Sequence, residues 1–186
     1  MSTPNTFHQS LEYIQNKIQG LLSTISNEEI NSIQSLFFDA HRIFVYGAGR
    51  SGLVARAFAI RLVHLGFQTF VIGETIGAPV KKDDLVVIVS GSGETIPAVM
   101  TAEIAHNIGA PVLVITGVSQ ARITRFALQT IILYGFVNES ERKRLAPMGT
   151  LFEASAWIFL DALIAKLMDA KGETEENMRS RHATLE

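Results

Sequence analysis

Blocks of apolar and polar positions along the chain predict two helices followed by alternating strands and helices. Apolar residues spaced three or four apart between positions 7 and 22 predict an amphipathic helix. The segment Ser26-Asn27-Glu28-Glu29 has the spacing of a capping box, so we expect a second helix from there to about Phe38. Five short apolar runs then predict strands at 43–46, 69–72, 85–89, 112–116 and 130–133.

Helical patterns lie between these strands, at about 52–65, 95–108 and 119–127. Strands this apolar, separated by helices, are typical of a parallel sheet that is covered on both faces. After the fifth strand we expect a polar loop from Val137 to Pro147, a long helix from Leu151 to Ala170 and a short helix capped by Thr174. The pattern therefore predicts an α/β fold, in which helices cover a five-stranded parallel sheet.

We expect this fold to form a single domain, with a helical prefix over 1–40, a sheet core over 41–136 and C-terminal helices over 150–186. The 186 residues are 47% hydrophobic, which is enough to bury a sizeable core. The net charge of −2 disfavours a nucleic-acid partner, because such binding needs a concentrated basic face. The short basic cluster Arg142-Lys143-Arg144 follows Glu139 and Glu141 and is interpreted as part of a solvated loop.

The lack of cysteine and of membrane-directing segments excludes several classes of function. The sequence has no cysteine, which excludes disulfides, thiolate catalysis and cysteine-based metal sites. The first ten residues lack the pattern of a leader peptide, and no apolar run approaches the ~20 residues that span a bilayer. We therefore expect a cytoplasmic protein with no membrane partner.

The loop after the third strand has the composition of a phosphate cradle. Leu85 to Val89 runs into Ser90-Gly91-Ser92-Gly93-Glu94-Thr95 before a helix begins. Glycines allow the backbone to approach an anion, the helix N-terminus supplies amides and a positive dipole end, and the hydroxyls add donors. The loop has no lysine and so is not a nucleotide P-loop. A plain Gly-Ser turn remains the alternative.

A second glycine-rich loop follows the first strand. Gly47-Ala48-Gly49-Arg50-Ser51-Gly52 matches G-x-G-x-x-G, and Glu74 follows the second strand, as in a dinucleotide site. Three features disfavour that interpretation: about 40 residues precede the motif, a second cradle follows the third strand, and little chain remains for a substrate domain. Arg50 and Ser51 would instead form one wall of a sugar-phosphate site.

Two such loops, after the first and third strands, resemble the SIS (sugar isomerase) domain. Four segments extend the resemblance to the 6-phospho-3-hexuloisomerase family over nearly the whole chain. They are Tyr46 to Gly52 with Arg56-Ala57-Phe58-Ala59, Ser90 to Thr95, Pro147-Met148-Gly149-Thr150-Leu151-Phe152-Glu153, and Arg181-His182-Ala183-Thr184-Leu185-Glu186.

The resemblance implies a doubly wound, flavodoxin-like sheet and an isomerase that needs neither metal nor cofactor. The implied reaction interconverts D-arabino-hex-3-ulose 6-phosphate and D-fructose 6-phosphate through an enediolate, in the ribulose monophosphate pathway of formaldehyde fixation. It also implies a homo-oligomer, expected to be a tetramer with sites at subunit interfaces. The expected substrate-binding residues are Gly49, Arg50, Ser51, Ser90, Gly91, Ser92, Gly93, Glu94 and Thr95. The carboxylate of Glu94 would turn outward in the first turn of its helix.

Two side chains match the family's proposed acid–base residues. Glu153 lies among apolar neighbours, where partial burial would strengthen it as a base. Its alternative role is structural, because Thr150-Leu151-Phe152-Glu153 also has capping-box spacing. His182 is expected to handle the oxygen protons and to reach a neighbouring subunit, although a histidine in a polar tail is often only solvated. A phosphosugar-binding regulator, or an isomerase of another phosphosugar, remains the alternative function.

Overall fold

A parallel sheet of five strands lies at the centre of the computed structural model, which describes residues 5–135 and 137–185. The strands are β1 (Ile43–Gly47), β2 (Thr69–Val71), β3 (Leu85–Ser90), β4 (Val112–Thr116) and β5 (Gln129–Ile132). Their order in the sheet is β2-β1-β3-β4-β5. The predicted α/β class and the parallel sheet are confirmed. Residues 1–4, 136 and 186, which belong to the predicted prefix, sheet core and tail, lie outside the described residues.

Helices pack on both faces of this sheet. They are α1 (Thr6–Leu22), α2 (Asn27–Asp39), α3 (Gly49–His64), α4 (Ile96–Ile108), α5 (Glu139–Leu145), α6 (Thr150–Lys171) and α7 (Glu175–Ser180), with a 3-10 helix at Arg122–Phe126. Side chains alternate along β3, so that Val87 packs with α2, α3 and α6. Its neighbours Val86 and Ile88 pack on the other face with α4 and the 3-10 helix. This arrangement buries every residue of β3 and β4.

Local capping chemistry explains where two predictions succeed or fail. The capping box at α2 is confirmed, since the Glu29 N–H donates to the Ser26 hydroxyl and the Ser26 N–H to the Glu29 carboxylate. The polar loop expected over 137–147 is wrong, because it contains α5. Asn138 begins that helix by accepting hydrogen bonds from the amides of Ser140 and Glu141.

The helix predicted over 119–127 is also wrong, since the segment forms only the short 3-10 helix. Two of its amides bond to the β3–α4 loop. The Ile123 N–H donates to the Gly93 carbonyl at 3.1 Å, and the Arg122 N–H donates to the Glu94 carboxylate at 2.7 Å. Amides that bond outside their own segment do not serve a regular α-helical ladder. Tertiary contacts with the loop therefore replace the predicted helix.

A buried ion pair joins the amino ends of β1 and β3. Asp84 is fully buried and accepts from the Arg42 guanidinium at 2.9 and 2.7 Å and from the Lys81 amide at 2.7 Å. Burial alone raises the pKa of the Asp84 carboxyl. The hydrogen bonds from Arg42 and Lys81 outweigh this effect and leave the pKa below its ordinary value. Asp84 thus stabilises the sheet at the end away from the glycine-rich loops.

Close backbone packing defines the opposite, carboxyl end of the sheet. A Cβ atom on Gly47 would lie 2.7 Å from the Ser51 carbonyl oxygen, and one on Gly52 would lie 2.7 Å from the Gly47 carbonyl oxygen. The glycines of the first loop thus allow β1 and α3 to touch. The order of the strands reverses between β1 and β3, and such a switch point opens a crevice where doubly wound sheets bind ligands.

A substitution at Gly93 tests the close packing at the carboxyl end of the sheet. Its φ is +63°, and a Cβ atom there would lie 2.4 Å from the Ala121 Cβ. Gly172 has nearly the same φ, +66°, but open space around it. We expect Gly172→Ala to lower the free energy of unfolding by about 1 kcal/mol, through left-handed strain alone. Gly93→Ala should lower the free energy of unfolding by about 2 kcal/mol more than Gly172→Ala does, because overpacking adds to the backbone strain. Urea denaturation measures both, and equal losses would contradict the packing argument.

Candidate active site

A cavity of about 520 Å³ opens at the carboxyl edge of the sheet, beside the switch point. This volume lies in the range of small-molecule sites. Its lining includes five residues that the sequence analysis selected: Ser51, Gly91, Ser92, Thr95 and Glu153. The structure therefore brings both glycine-rich loops and the candidate base to one cavity.

The β3–α4 loop is held rigidly at this cavity. The Gly91 carbonyl accepts from the Gly117 amide at 2.9 Å, and the Gly93 amide donates to the Ser90 carbonyl at 3.1 Å. A Cβ atom on Gly91 would lie 2.9 Å from the ring of Phe152, which shows how closely α6 packs on the loop. Backbone held in this way is preorganised to receive a ligand.

Three hydroxyls of this loop differ in their surroundings. The Ser90 hydroxyl is buried and, among the described residues, has no hydrogen-bond partner. Ser92 is exposed, and its hydroxyl accepts from the Glu94 amide at 3.2 Å. Thr95 begins α4, but its side chain makes no capping bond. The first turn of α4 therefore receives no capping bond from the residue that begins it, and an anion would be a suitable partner.

Glu94 differs from its prediction. It precedes α4, whose first turn contains no acidic residue; the residue is exposed as expected, and its carboxylate accepts a hydrogen bond from the Arg122 amide. The carboxylate thus ties the loop to the 3-10 helix. Gly49, Arg50, Ser90, Gly93 and Glu94 do not themselves line the cavity.

Glu153 does not form the capping box that its spacing allowed. Gly149 begins α6 without a side-chain cap, and the Thr150 hydroxyl bonds the Pro147 carbonyl at 2.6 Å. The Glu153 carboxylate instead forms an ion pair with the Arg50 guanidinium. A Cβ atom on Gly149 would lie 2.9 Å from Glu153 Oε1, so the glycine leaves room for the carboxylate. Its structural alternative, the capping box, is therefore wrong.

Exposure distinguishes the two members of this pair. The Glu153 side chain is 14% exposed, whereas that of Arg50 is 72% exposed. Glu153 lines the main cavity and also an adjoining groove of about 420 Å³ between α3 and α6, which Arg50 lines too. The pair thus lies where the cavity meets the groove, with the carboxylate on the inner side.

His182 lies far from Glu153 within one chain. Its ring stacks on that of His64, with centroids 5.0 Å apart, at the last residue of α3. Arg50 and Ser51 lie near the other end of this 16-residue helix, about 20 Å away along its axis. The tail is also attached more firmly than its polar composition suggests. Met178 packs into the core, and Arg181 donates to the His64 carbonyl at 2.9 Å.

Two cations of the cavity were missed by sequence reasoning. Arg142, interpreted as part of a solvated loop, lies on α5 and lines the cavity. Its guanidinium donates to both carboxylate oxygens of Glu139, at 3.1 and 3.0 Å, and to the Met148 carbonyl at 3.1 Å. Lys17 reaches the cavity from α1. No local motif marks Lys17, because only the packing of α1 beside α5 and α6 brings it there.

Comparison with known proteins agrees with this geometry. The sequence profile of the SIS domain matches residues 36–154. The chain is 39% identical to the 3-hexulose-6-phosphate isomerase of Bacillus subtilis over 93% of this chain and 95% of that protein. It is also 39% identical to the enzyme of that name from Methylomonas aminofaciens, over 94% and 97%.

A crystal structure gives the same relationship in three dimensions. A Methanococcus jannaschii protein, for which a 3-hexulose-6-phosphate isomerase function has been inferred, superposes with a TM-score of 0.86. The two chains are 35% identical, and the match covers 96% of this chain and 99% of the other. This chain therefore belongs to the SIS domain family. Within that family, the Bacillus and Methylomonas relatives are isomerases, and this chain is an isomerase as well.

Two features are absent from the described part of the chain. Within 5–135 and 137–185, no helix is both long and apolar enough to cross a membrane. Over the same residues, no three His, Asp or Glu side chains cluster as the ligands of a metal ion would.

Proposed function

We propose that this isomerase interconverts D-arabino-hex-3-ulose 6-phosphate and D-fructose 6-phosphate, as a step of the ribulose monophosphate pathway. The observation that carries the proposal is the position of Glu153, whose carboxylate lines the same cavity as Ser92 and Thr95. A candidate base and a candidate phosphate cradle thus face one ligand-sized space. The names of the full-length relatives agree with this substrate.

The phosphate is assigned to the loops after β1 and β3. Ser51, Ser92 and Thr95 supply hydroxyls, and the amides of Gly91, Ser92 and Thr95 are assigned as further donors. The amides of Gly93 and Glu94 bond within the loop and hold its shape. The Ser90 hydroxyl, which the sequence also assigned to the phosphate, has no partner in the described structure, but it is buried and does not line the cavity. Donors of this kind bind an anion without a lysine or a metal ion.

The reaction is a proton transfer with no net change of oxidation state. Starting from the 3-hexulose, Glu153 takes the proton on C2, a C2–C3 double bond forms, and electrons move to the oxygen on C3. The resulting enediolate is then protonated on C3, while the hydroxyl proton on O2 passes to O3. The Arg50 ion pair fixes the direction in which the Glu153 carboxylate points.

The transfer of the hydroxyl proton from O2 to O3 is assigned to His182 of a neighbouring subunit. The groove between α3 and α6 is lined by exposed apolar side chains, including Leu53, Trp157 and Ile158. Exposed apolar faces of this kind mark contact surfaces. A second copy seated there, with its α3 antiparallel to the first, places its His64–His182 end beside Glu153. A two-fold axis across α3 thus brings together the two ends of the helix, which lie about 20 Å apart within one chain.

A tetramer forms if a second apolar face of each subunit also contacts its equivalent on another copy. On the opposite side of the sheet, α4 exposes large apolar side chains at four-residue spacing: Ile96, Met100, Ile104 and Ile108. Two different two-fold contacts, one on α3 and α6 and the other on α4, build a closed tetramer.

The phosphate assignment predicts a loss of affinity without a loss of fold. Ser92→Ala should weaken fructose 6-phosphate binding by about tenfold, because a hydrogen bond to a charged group is lost. Ser35→Ala removes an exposed hydroxyl on α2 that bonds the Asn31 carbonyl and does not line the cavity, and it serves as the matched control. Isothermal titration calorimetry measures both variants. Unchanged affinity in Ser92→Ala would remove this hydroxyl from the phosphate site.

The base assignment is tested by replacing only the proton acceptor. Glu153→Gln keeps the shape of the side chain, and we expect it to lower kcat by at least about 100-fold with little change in KM. Asp161→Asn, on an exposed position of the same helix, should keep kcat. A coupled assay for fructose 6-phosphate formed from the 3-hexulose measures both. Turnover of other phosphosugars but not of this one would overturn the proposed substrate, and an active Glu153→Gln would overturn the base.

The shared site predicts complementation between subunits. His182→Ala should lower kcat by about 100-fold, within the range of a general acid–base group. Mixed oligomers of Glu153→Gln and His182→Ala chains should recover activity, because some sites then combine an intact Glu153 with an intact His182. Native mass spectrometry verifies the mixing. Verified mixed oligomers without recovery would contradict a site built from two chains.

A further inference from the structure

The cavity continues beyond the loops assigned to the phosphate. Its wall passes from β3 and β4 to the loop after β5 and ends at α1 and α5, where Lys17, Tyr134 and Arg142 line it. Two strand spacings separate β3 from β5, which is about 10 Å. The loop after β5, beside which α1 and α5 lie, therefore starts roughly that far from the Ser92 loop.

At the α1–α5 end of the cavity, one cationic side chain has no ion-pair partner among the described residues. The Arg142 guanidinium is neutralised by its paired bonds to Glu139, and the carboxylate of Glu153 is paired with Arg50. Lys17 is half-buried, and among the described residues it forms no ion pair. Its ammonium group lies 5.6 Å from the centroid of the Tyr13 ring, a contact that contributes no negative charge. A partly desolvated cation that lines a cavity is stabilised by an anionic ligand.

We propose that Lys17 is a second anion subsite of this cavity, and that the ligand which uses both subsites is a ketohexose 1,6-bisphosphate. The 6-phosphate occupies the Ser92 loop, so this step rests on the proposed function, and the 1-phosphate meets Lys17. An extended six-carbon chain with a phosphate ester at each end is about 10 Å long, which is enough to reach from the β3 loop to the part of the cavity beyond β5. Such a bisphosphate competes with the monophosphate substrate for the cavity.

The proposal is tested by a ratio of affinities. Isothermal titration calorimetry gives the Kd of fructose 6-phosphate and of fructose 1,6-bisphosphate for each variant. For the wild type we expect the bisphosphate to bind about tenfold more tightly, the effect of one added charge-assisted hydrogen bond. Lys17→Met keeps the length of the side chain and should remove this advantage, whereas Lys17→Arg keeps the charge and should retain most of it. Lys143→Met, on an exposed α5 position outside the cavity, should leave the ratio unchanged.

The outcomes separate this proposal from the one on which it rests. Equal affinity of the wild type for the two ligands, or an advantage that survives in Lys17→Met, would overturn the Lys17 subsite and leave the isomerase proposal intact. Failure of the wild type to bind fructose 6-phosphate would overturn the phosphate assignment itself. Because Lys17→Arg preserves charge and nearly preserves size, loss of the bisphosphate advantage in that variant would overturn the subsite even where Lys17→Met unfolds.

Discussion

The site depends on how closely the backbone packs at the carboxyl ends of β1 and β3. Gly47 and Gly52 allow the end of β1 to touch the first turn of α3, and a Cβ atom on either glycine would meet a carbonyl oxygen at 2.7 Å. Gly93 lies against Ala121 with no room for a side chain. These contacts place the two glycine-rich loops side by side at the point where the strand order reverses. The cavity is the space that remains between them and α6.

Ion pairs hold in place the helices that line this cavity. Arg50 on α3 meets Glu153 on α6, and Arg142 on α5 meets Glu139 while it also holds the Met148 carbonyl before α6. Met148 is the only residue other than glycine with a positive φ among the described positions. A residue in this conformation is retained where its surroundings stabilise it, and the Arg142 bond is one such contact. The turn that begins α6, and with it the position of Glu153, is thus fixed from two sides.

Two segments with the same spacing show where local sequence patterns stop being decisive. Ser26 to Glu29 and Thr150 to Glu153 both match a capping box, but only the first forms one. At the first, Glu29 is exposed and bonds the nearest amide. At the second, a guanidinium from α3 competes for the carboxylate, and a charged partner is preferred to a backbone amide. The outcome depends on a residue about 100 positions earlier in the chain.

The sequence by itself determined the layered α/β architecture, the positions of the five strands and the composition of the two ligand loops. These features follow from hydrophobic periodicity and from the conformational freedom of glycine, which act over a few residues. Only the tertiary structure decided which side chains share a cavity. It brought Lys17 and Arg142 to the wall, paired Arg50 with Glu153, turned Glu94 to the 3-10 helix and placed His182 at the far end of α3. Such contacts join residues distant in the chain, and they depend on how helices pack across the sheet, which no local pattern specifies.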